Sequence, residues 1–96
     1  MRVILTPQAR AEYIEAIEWY RQQAPGLDKR LRAAFTDIRK RIADGPLRFP
    51  AATADTRRAR LRDFPYLVIY RLAGDTVQVV AFFHTSRSPR RWQRRM

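Results

Sequence analysis

The sequence predicts an α+β domain: an N-terminal strand and a helical hairpin packed on one face of a small, mostly antiparallel β-sheet. Three observations lead there. Residues 66–84 hold two apolar, β-branched and aromatic runs, Tyr66 to Leu72 and Thr76 to His84, joined by the loop Ala73-Gly74-Asp75, which reads as a hairpin. Ahead of them the chain alternates: Arg58, Arg60 and Arg62 point one way and Arg57, Ala59 and Leu61 the other, because successive strand residues face opposite sides. Upstream, two apolar stripes at three- and four-residue spacing mark helices that cannot remain bare in water, and the three-stranded meander offers the surface that covers them.

The elements follow in order. Arg2 to Leu5 reads as a short strand. Thr6 is the expected N-cap of the first helix, with Pro7 at its first position, where a missing N–H costs nothing. Ala9, Tyr13, Ile17, Tyr20 and Ala24 form its apolar stripe, and Glu12, Glu15, Gln22 and Gln23 its polar face. Trp19 falls on the polar side, which leaves two readings: a ring partly covered by a neighbouring element, or a partner contact. Ala24-Pro25-Gly26 breaks this helix. The second begins near Leu27, carries Leu31, Ala34, Phe35, Ile38 and Ile42 on one face, and stops at Gly45-Pro46. Leu47 to Thr56 has no usable period; Phe49 is expected to tuck under the loop, and Ala51 to Thr56 to be a mobile surface connection. After His84 the chain is too polar for a strand, and Trp92 is expected to anchor it by folding back onto the sheet or the helices.

Ninety-six residues make a single domain, 1–96, with room for one modest core. The absence of cysteine excludes disulfides and thiolate metal sites, and one histidine cannot build a structural zinc site without clustered carboxylates. No metal or cofactor is expected. The apolar run Val3 to Leu5 is far shorter than a signal-peptide core or a membrane span, so the expectation is a soluble, cytoplasmic protein with no membrane partner.

Charge is the dominant compositional feature. The net charge is +11, and the excess is arginine, since only Lys29 and Lys40 are lysines. From Arg57 onward ten arginines face two acids, a net of 10 − 2 = +8, whereas the preceding residues carry ten basic and seven acidic groups, a net of +3. Guanidinium matches carboxylate and phosphate in a two-point geometry that ammonium lacks, so such a patch favours nucleic acid or an acidic protein segment.

The residues leave three kinds of chemistry open. No Ser/His/Asp spacing, phosphate-cradling glycine loop or convincing carboxylate pair is present. His84, at a strand end with Arg87 just beyond and Arg60, Arg62 and Arg71 on neighbouring strands, could move a ribose proton while the arginines hold the developing phosphorane charge. The alternative for His84 is an ordinary strand-end residue with a hydrogen-bond partner. A groove lined by Arg60, Arg62 and Arg71 would instead receive an acidic helix or extended peptide, or a peptide would add to a sheet edge. In the third reading the arginines simply track nucleic-acid phosphates, although no recognition module or groove-reading third helix is visible.

The wording of two segments adds to this. FPYLVIYRL, Phe64 to Leu72, and VVAFFHTSRSPRRW, Val79 to Trp92, resemble the RelE/ParE superfamily of bacterial toxin–antitoxin toxins, as do the Thr6-Pro7-Gln8-Ala9 helix start and the arginine-rich strand before them. The resemblance spans nearly the whole chain. It implies either a RelE-like ribosome-dependent mRNA endonuclease or a ParE-like inhibitor of DNA gyrase that cuts nothing itself. Leu67 stands about where the nucleases place an arginine, and Trp92 about where they place a tyrosine, so the wording is closer to the ParE-like branch. The resemblance further implies a cognate antitoxin with an acidic C-terminal segment that forms a hetero-oligomer with this chain. The candidate antitoxin- or target-binding residues are Arg60, Arg62, Arg71, Arg87, Arg90, Arg91, Trp92 and Trp19, and His84 with Arg87 would be catalytic in a nuclease.

Overall fold

A computed structural model describes residues 1–87 and 90–93, with the side chains of Arg90 and Arg91 outside the description. The elements run β1 (Arg2–Leu5), α1 (Pro7–Gln23), α2 (Leu27–Asp44), a 3-10 turn (Pro46–Arg48), β2 (Arg57–Arg60), β3 (Tyr66–Ala73), β4 (Thr76–His84) and α3 (Arg90–Gln93). The four strands form one sheet in the order β1-β4-β3-β2; β1 lies parallel to β4, and the other neighbours are antiparallel. This is the α+β architecture expected from the sequence.

Local chemistry accounts for the boundaries. The Thr6 hydroxyl accepts a hydrogen bond from the Ala9 amide at 3.2 Å, and Pro7 opens α1. Gly26, at φ 87°, makes the sharp entry into α2 that an L side chain would resist. The β3–β4 hairpin turns on Gly74-Asp75, with Gly74 at φ 65° in the first loop position and Ala73 still paired with Thr76.

The helices cover one face of the sheet, here called the front. There Leu31, Phe35, Ile38 and Ile42 of α2 meet Ile17 of α1 and Val68, Tyr70, Val77, Val79 and Phe82 of the strands. The opposite, back face has its own small cluster: Ile69, Val80, Ala81, Phe83 and Trp92. A β-bulge explains how β4 serves both. The pairing slips between Ile69 and Tyr70, so that Ile69 faces Ala81 while Tyr70 faces Val79, and Val80 is the extra residue. Val80 and Ala81 therefore both turn to the back, which an uninterrupted alternation would not allow. Trp92 is 4% exposed and lies edge-on to Phe83, with ring centroids 6.4 Å apart. The α3 turn with Trp92 thus lies back on the sheet, as expected, on the side away from the helices.

Two expectations are corrected. Strand β2 ends at Arg60, so Arg62 is not part of its arginine row. The Leu61 amide already bonds the Tyr66 carbonyl, and Asp63 takes φ 68°, turning the chain into β3. Ala51 to Thr56 is not a free connection either. Ala51 bridges to Arg57, the Ala52 amide reaches the Thr56 carbonyl at 2.8 Å, and the Thr53 and buried Thr56 hydroxyls meet at 2.5 Å. Polarity signalled exposure, but those polar groups satisfy one another. No helix among the described residues is long and apolar enough to cross a membrane.

Candidate functional site

Two surfaces gather the residues singled out above, and they lie on opposite faces of the sheet. On the back, strand alternation aligns Arg58 and Arg60 of β2 with Ile69 and Leu67 of β3, and carries Arg71 two places beyond Ile69. All three arginines are exposed, and Arg71 sits opposite Gln78, whose side-chain oxygen accepts from its Nε at 2.8 Å. Arg58 donates to the Ala51 carbonyl. Among the described residues, none of these three pairs with an acid; the ion pairs there are Arg21 with Glu18 and Asp28, and Arg62 with Asp63 at 3.8 Å. The guanidinium charge of this face is therefore not cancelled by an ion pair among the described residues.

The second surface is a cleft of about 330 Å³ on the front, between α1 and the end of the β3–β4 ladder. Glu12, Glu15 and Trp19 line it from the helix, and Tyr66, His84 and Arg87 from the strand end. Residues 12, 15 and 19 share one helical stripe, which is why Trp19 stands among polar neighbours. A Glu12 carboxylate oxygen accepts from the Phe82 amide at 3.1 Å, tying α1 to β4. Tyr66 stacks on Phe82 at 4.6 Å and meets the His84 ring edge-on at 5.1 Å. Burial pushes the Tyr66 hydroxyl above its ordinary range; Tyr20 and Glu15 add to the rise, and Arg87 opposes it.

A tight turn fixes His84. The Thr85 amide bonds the Pro65 carbonyl, and the Arg87 amide bonds the His84 carbonyl. The Ser86 amide donates to His84 Nδ1 at 3.1 Å, and the Ser86 hydroxyl lies 2.7 Å from the same nitrogen. A backbone amide can only donate, so neutral His84 carries its proton on Nε2.

The structure therefore separates residues that a nuclease would need together. His84 and Arg87 share the front cleft, whereas Arg60 and Arg71 belong to the back face and Arg62 to the turn after β2. Leu67 is half-buried against the Trp92 cluster. Trp92 itself is buried within the chain, so in this conformation its ring anchors the C-terminal segment and offers no surface to a partner. Trp19, 54% exposed, remains open to one. The Arg90 and Arg91 side chains lie outside the described residues. Among the described residues no group of three potential metal ligands is found.

Sequence reasoning missed Tyr20, Tyr66 and the two glutamates as cleft residues. Tyr20 and Tyr66 belonged to apolar runs and Glu12 and Glu15 to a solvated face; only the packing of α1 across β4 brings them together. The one available signal was Trp19, an aromatic ring out of phase with its helix.

Comparison with known proteins adds the following. Residues 3–89 match the family model described as the ParE toxin of the type II toxin–antitoxin system, parDE. Toxin ParE2 of Mycobacterium tuberculosis strain H37Rv is 32% identical over 79 residues, covering 81% of this chain and 75% of that protein, and Toxin ParE2 of strain CDC 1551 matches to the same extent. A solved structure described as "Chromosomal ParDE TA system from P. aeruginosa" superposes with a TM-score of 0.71 at 19% identity, over 88% of this chain and 95% of that one. At that identity the likeness establishes the fold.

Proposed function

The chain belongs to the ParE toxin family of type II toxin–antitoxin systems, and from that premise we propose that it inhibits DNA gyrase and is neutralised by direct binding of a cognate antitoxin. The family match across residues 3–89 carries this reading. It is supported by the positions where a nuclease pattern would place an arginine and a tyrosine. Leu67 and Trp92 occupy them with packing groups: an alkyl chain supplies none of the arginine's positive charge, and an indole cannot exchange a proton in the working pH range. The antitoxin half of the proposal is supported by Arg58, Arg60 and Arg71, whose charges lack acidic partners among the described residues and would be met by carboxylates of an acidic segment.

Gyrase supercoiling and DNA-cleavage assays with the purified chain test the target. Loss of supercoiling with trapped cleavage complexes is expected; intact gyrase activity together with mRNA cut on translating ribosomes would overturn it in favour of a RelE-like nuclease. For the partner, the protein encoded beside this chain is titrated against the wild type and against an Arg60→Ser/Arg71→Ser variant. A loss of about tenfold or more in affinity, with a weaker salt dependence, is expected for the variant.

A further inference from the structure

We propose that the front cleft between α1 and the end of the β3–β4 ladder is a binding site for a guanine nucleotide, free or as an unpaired position of a nucleic-acid strand. The inference does not depend on the gyrase reading and concerns the face opposite the arginine row.

The cleft contains three kinds of group, and one ligand class uses all of them. The first is aromatic surface. Trp19 meets Tyr20 edge-on at 4.8 Å, and Tyr20 meets Tyr66 at 6.3 Å, so ring faces and edges of different orientation border the same space. A large ring left 54% exposed beside carboxylates is poorly explained by core packing, whereas a stacked base uses its π-face. The second is a pair of acceptors on the helix wall. Glu12 is held by the Phe82 amide, and Glu15, one turn further on, makes no hydrogen bond or ion pair among the described residues. An ionised carboxylate only accepts, and guanine presents two adjacent donors, N1–H and the N2 amino group, that match its two oxygens. Adenine and cytosine place a ring acceptor beside their amino donor, and uracil flanks its single N–H with carbonyls; each sets an acceptor against the carboxylate. The third is the set of donors across the cleft: the Arg87 guanidinium and the Nε2–H of His84 (its tautomer set by the Ser86 amide), suited to phosphate oxygens.

The obvious competitor is a cationic side chain caged by the rings and carboxylates. It leaves Arg87 and His84 without a role, places Arg87 in repulsion with the ligand, and brings a cation to a chain of net charge +11. A nucleotide is drawn by the same field. The cleft volume, about 330 Å³, is in the range of small-molecule sites.

Calorimetric titration of the purified chain with 5′-GMP, 5′-AMP, 5′-UMP, inorganic phosphate and N-acetylarginine amide, at one ionic strength, tests the proposal. Saturable GMP binding, about tenfold tighter than AMP or UMP, is expected. Trp19→Ala weakens GMP about tenfold, while Trp19→Phe, which keeps a ring, retains most of the affinity. Glu15→Gln abolishes the preference for GMP over AMP, and Arg87→Ala weakens GMP but leaves guanosine unchanged. Both Glu15 and Trp19 are exposed, and unchanged melting temperatures confirm that these variants fold. An oligouridylate with one central guanosine, compared with GMP, distinguishes the sources: tighter binding of the strand assigns the site to nucleic acid, equal binding to the free nucleotide. No saturable GMP binding, equal affinities for the three nucleotides, phosphate binding as well as GMP, stronger binding of N-acetylarginine amide, or Trp19→Ala without effect would each overturn it.

Discussion

The two faces of the sheet carry the same strands and opposite tasks. Among the described residues, the front buries seventeen core residues between the two helices and the sheet, including Phe35, Tyr70 and Phe82, whereas the back buries five, counting Trp92 of the single helical turn. Most of the apolar area that stabilises this chain is therefore on the front, at about 25 cal/mol for each Å² removed from water. The back keeps enough to seat the C-terminal segment and leaves Arg58, Arg60 and Arg71 to solvent. A guanidinium beneath the helices would need a buried partner, and an apolar back would invite aggregation.

The strongest way to break the comparison is to cut the front core. Phe82 is 2% exposed, stacks on Tyr66 and meets Tyr13 and Phe35 edge-on at 5.3 and 5.9 Å. Phe82→Ala should cost about 3–5 kcal/mol, measured by urea unfolding. A cost no greater than that of a surface substitution would mean that stability is not concentrated on the front.

Next comes pH, which reaches the front through its buried tyrosines. All four tyrosines, Tyr13, Tyr20, Tyr66 and Tyr70, face the front, and burial raises each above the ordinary value near 10. The neutral phenol is thus favoured in the folded state, and above pH 10 the unfolded chain releases protons that the folded one retains. Their contribution is complete below the unfolded value and declines as pH rises from there through the folded values. Thermal melts across this alkaline range, with tyrosinate absorbance recorded in parallel, should show stability falling as the rings ionise later in the folded state. A melting temperature flat above pH 10 would contradict the burial assigned to these rings.

A smaller effect tests how the front reaches the connection after α2. The buried Tyr70 hydroxyl donates to the Pro46 carbonyl at 2.6 Å, and its ring meets Phe49 edge-on at 6.2 Å. Tyr70→Phe keeps the ring and removes the bond, and should cost about 1–2 kcal/mol in the same urea assay.

The front was largely legible in the sequence because period and capping are local. Thr6-Pro7, the Leu31 to Ile42 stripe and Gly74 each specify their element within a few residues. The back was legible in part. The alternation around Ala59 correctly turned Arg58 and Arg60 outward, but nothing in VVAFF announces the bulge that sends both Val80 and Ala81 to one side. A continuous apolar run has no phase, so the break in its alternation is set by the partner strand. The candidate sites were less legible still. Arg60 and His84, written as one constellation, fall on opposite faces, because the register that separates them is a tertiary fact. The Glu12–Glu15–Trp19 stripe was present in the sequence but gained meaning only when Tyr66 and Arg87 arrived from across the cleft.

The smallest expected effect concerns how firmly the back is closed. Trp92 is buried, yet its indole N–H has no hydrogen-bond partner among the described residues, so none of them replaces the water that this donor loses on folding. Such a group costs about 1–3 kcal/mol, which offsets part of what the ring gains against Phe83. Trp92→Phe deletes the donor together with some packing area, and the two changes oppose each other. Urea unfolding should place the variant within about 1 kcal/mol of the wild type, far from the loss expected for Phe82→Ala. A loss beyond about 2 kcal/mol would mean that the indole is bonded in solution and the back is fastened more tightly than its five buried residues indicate.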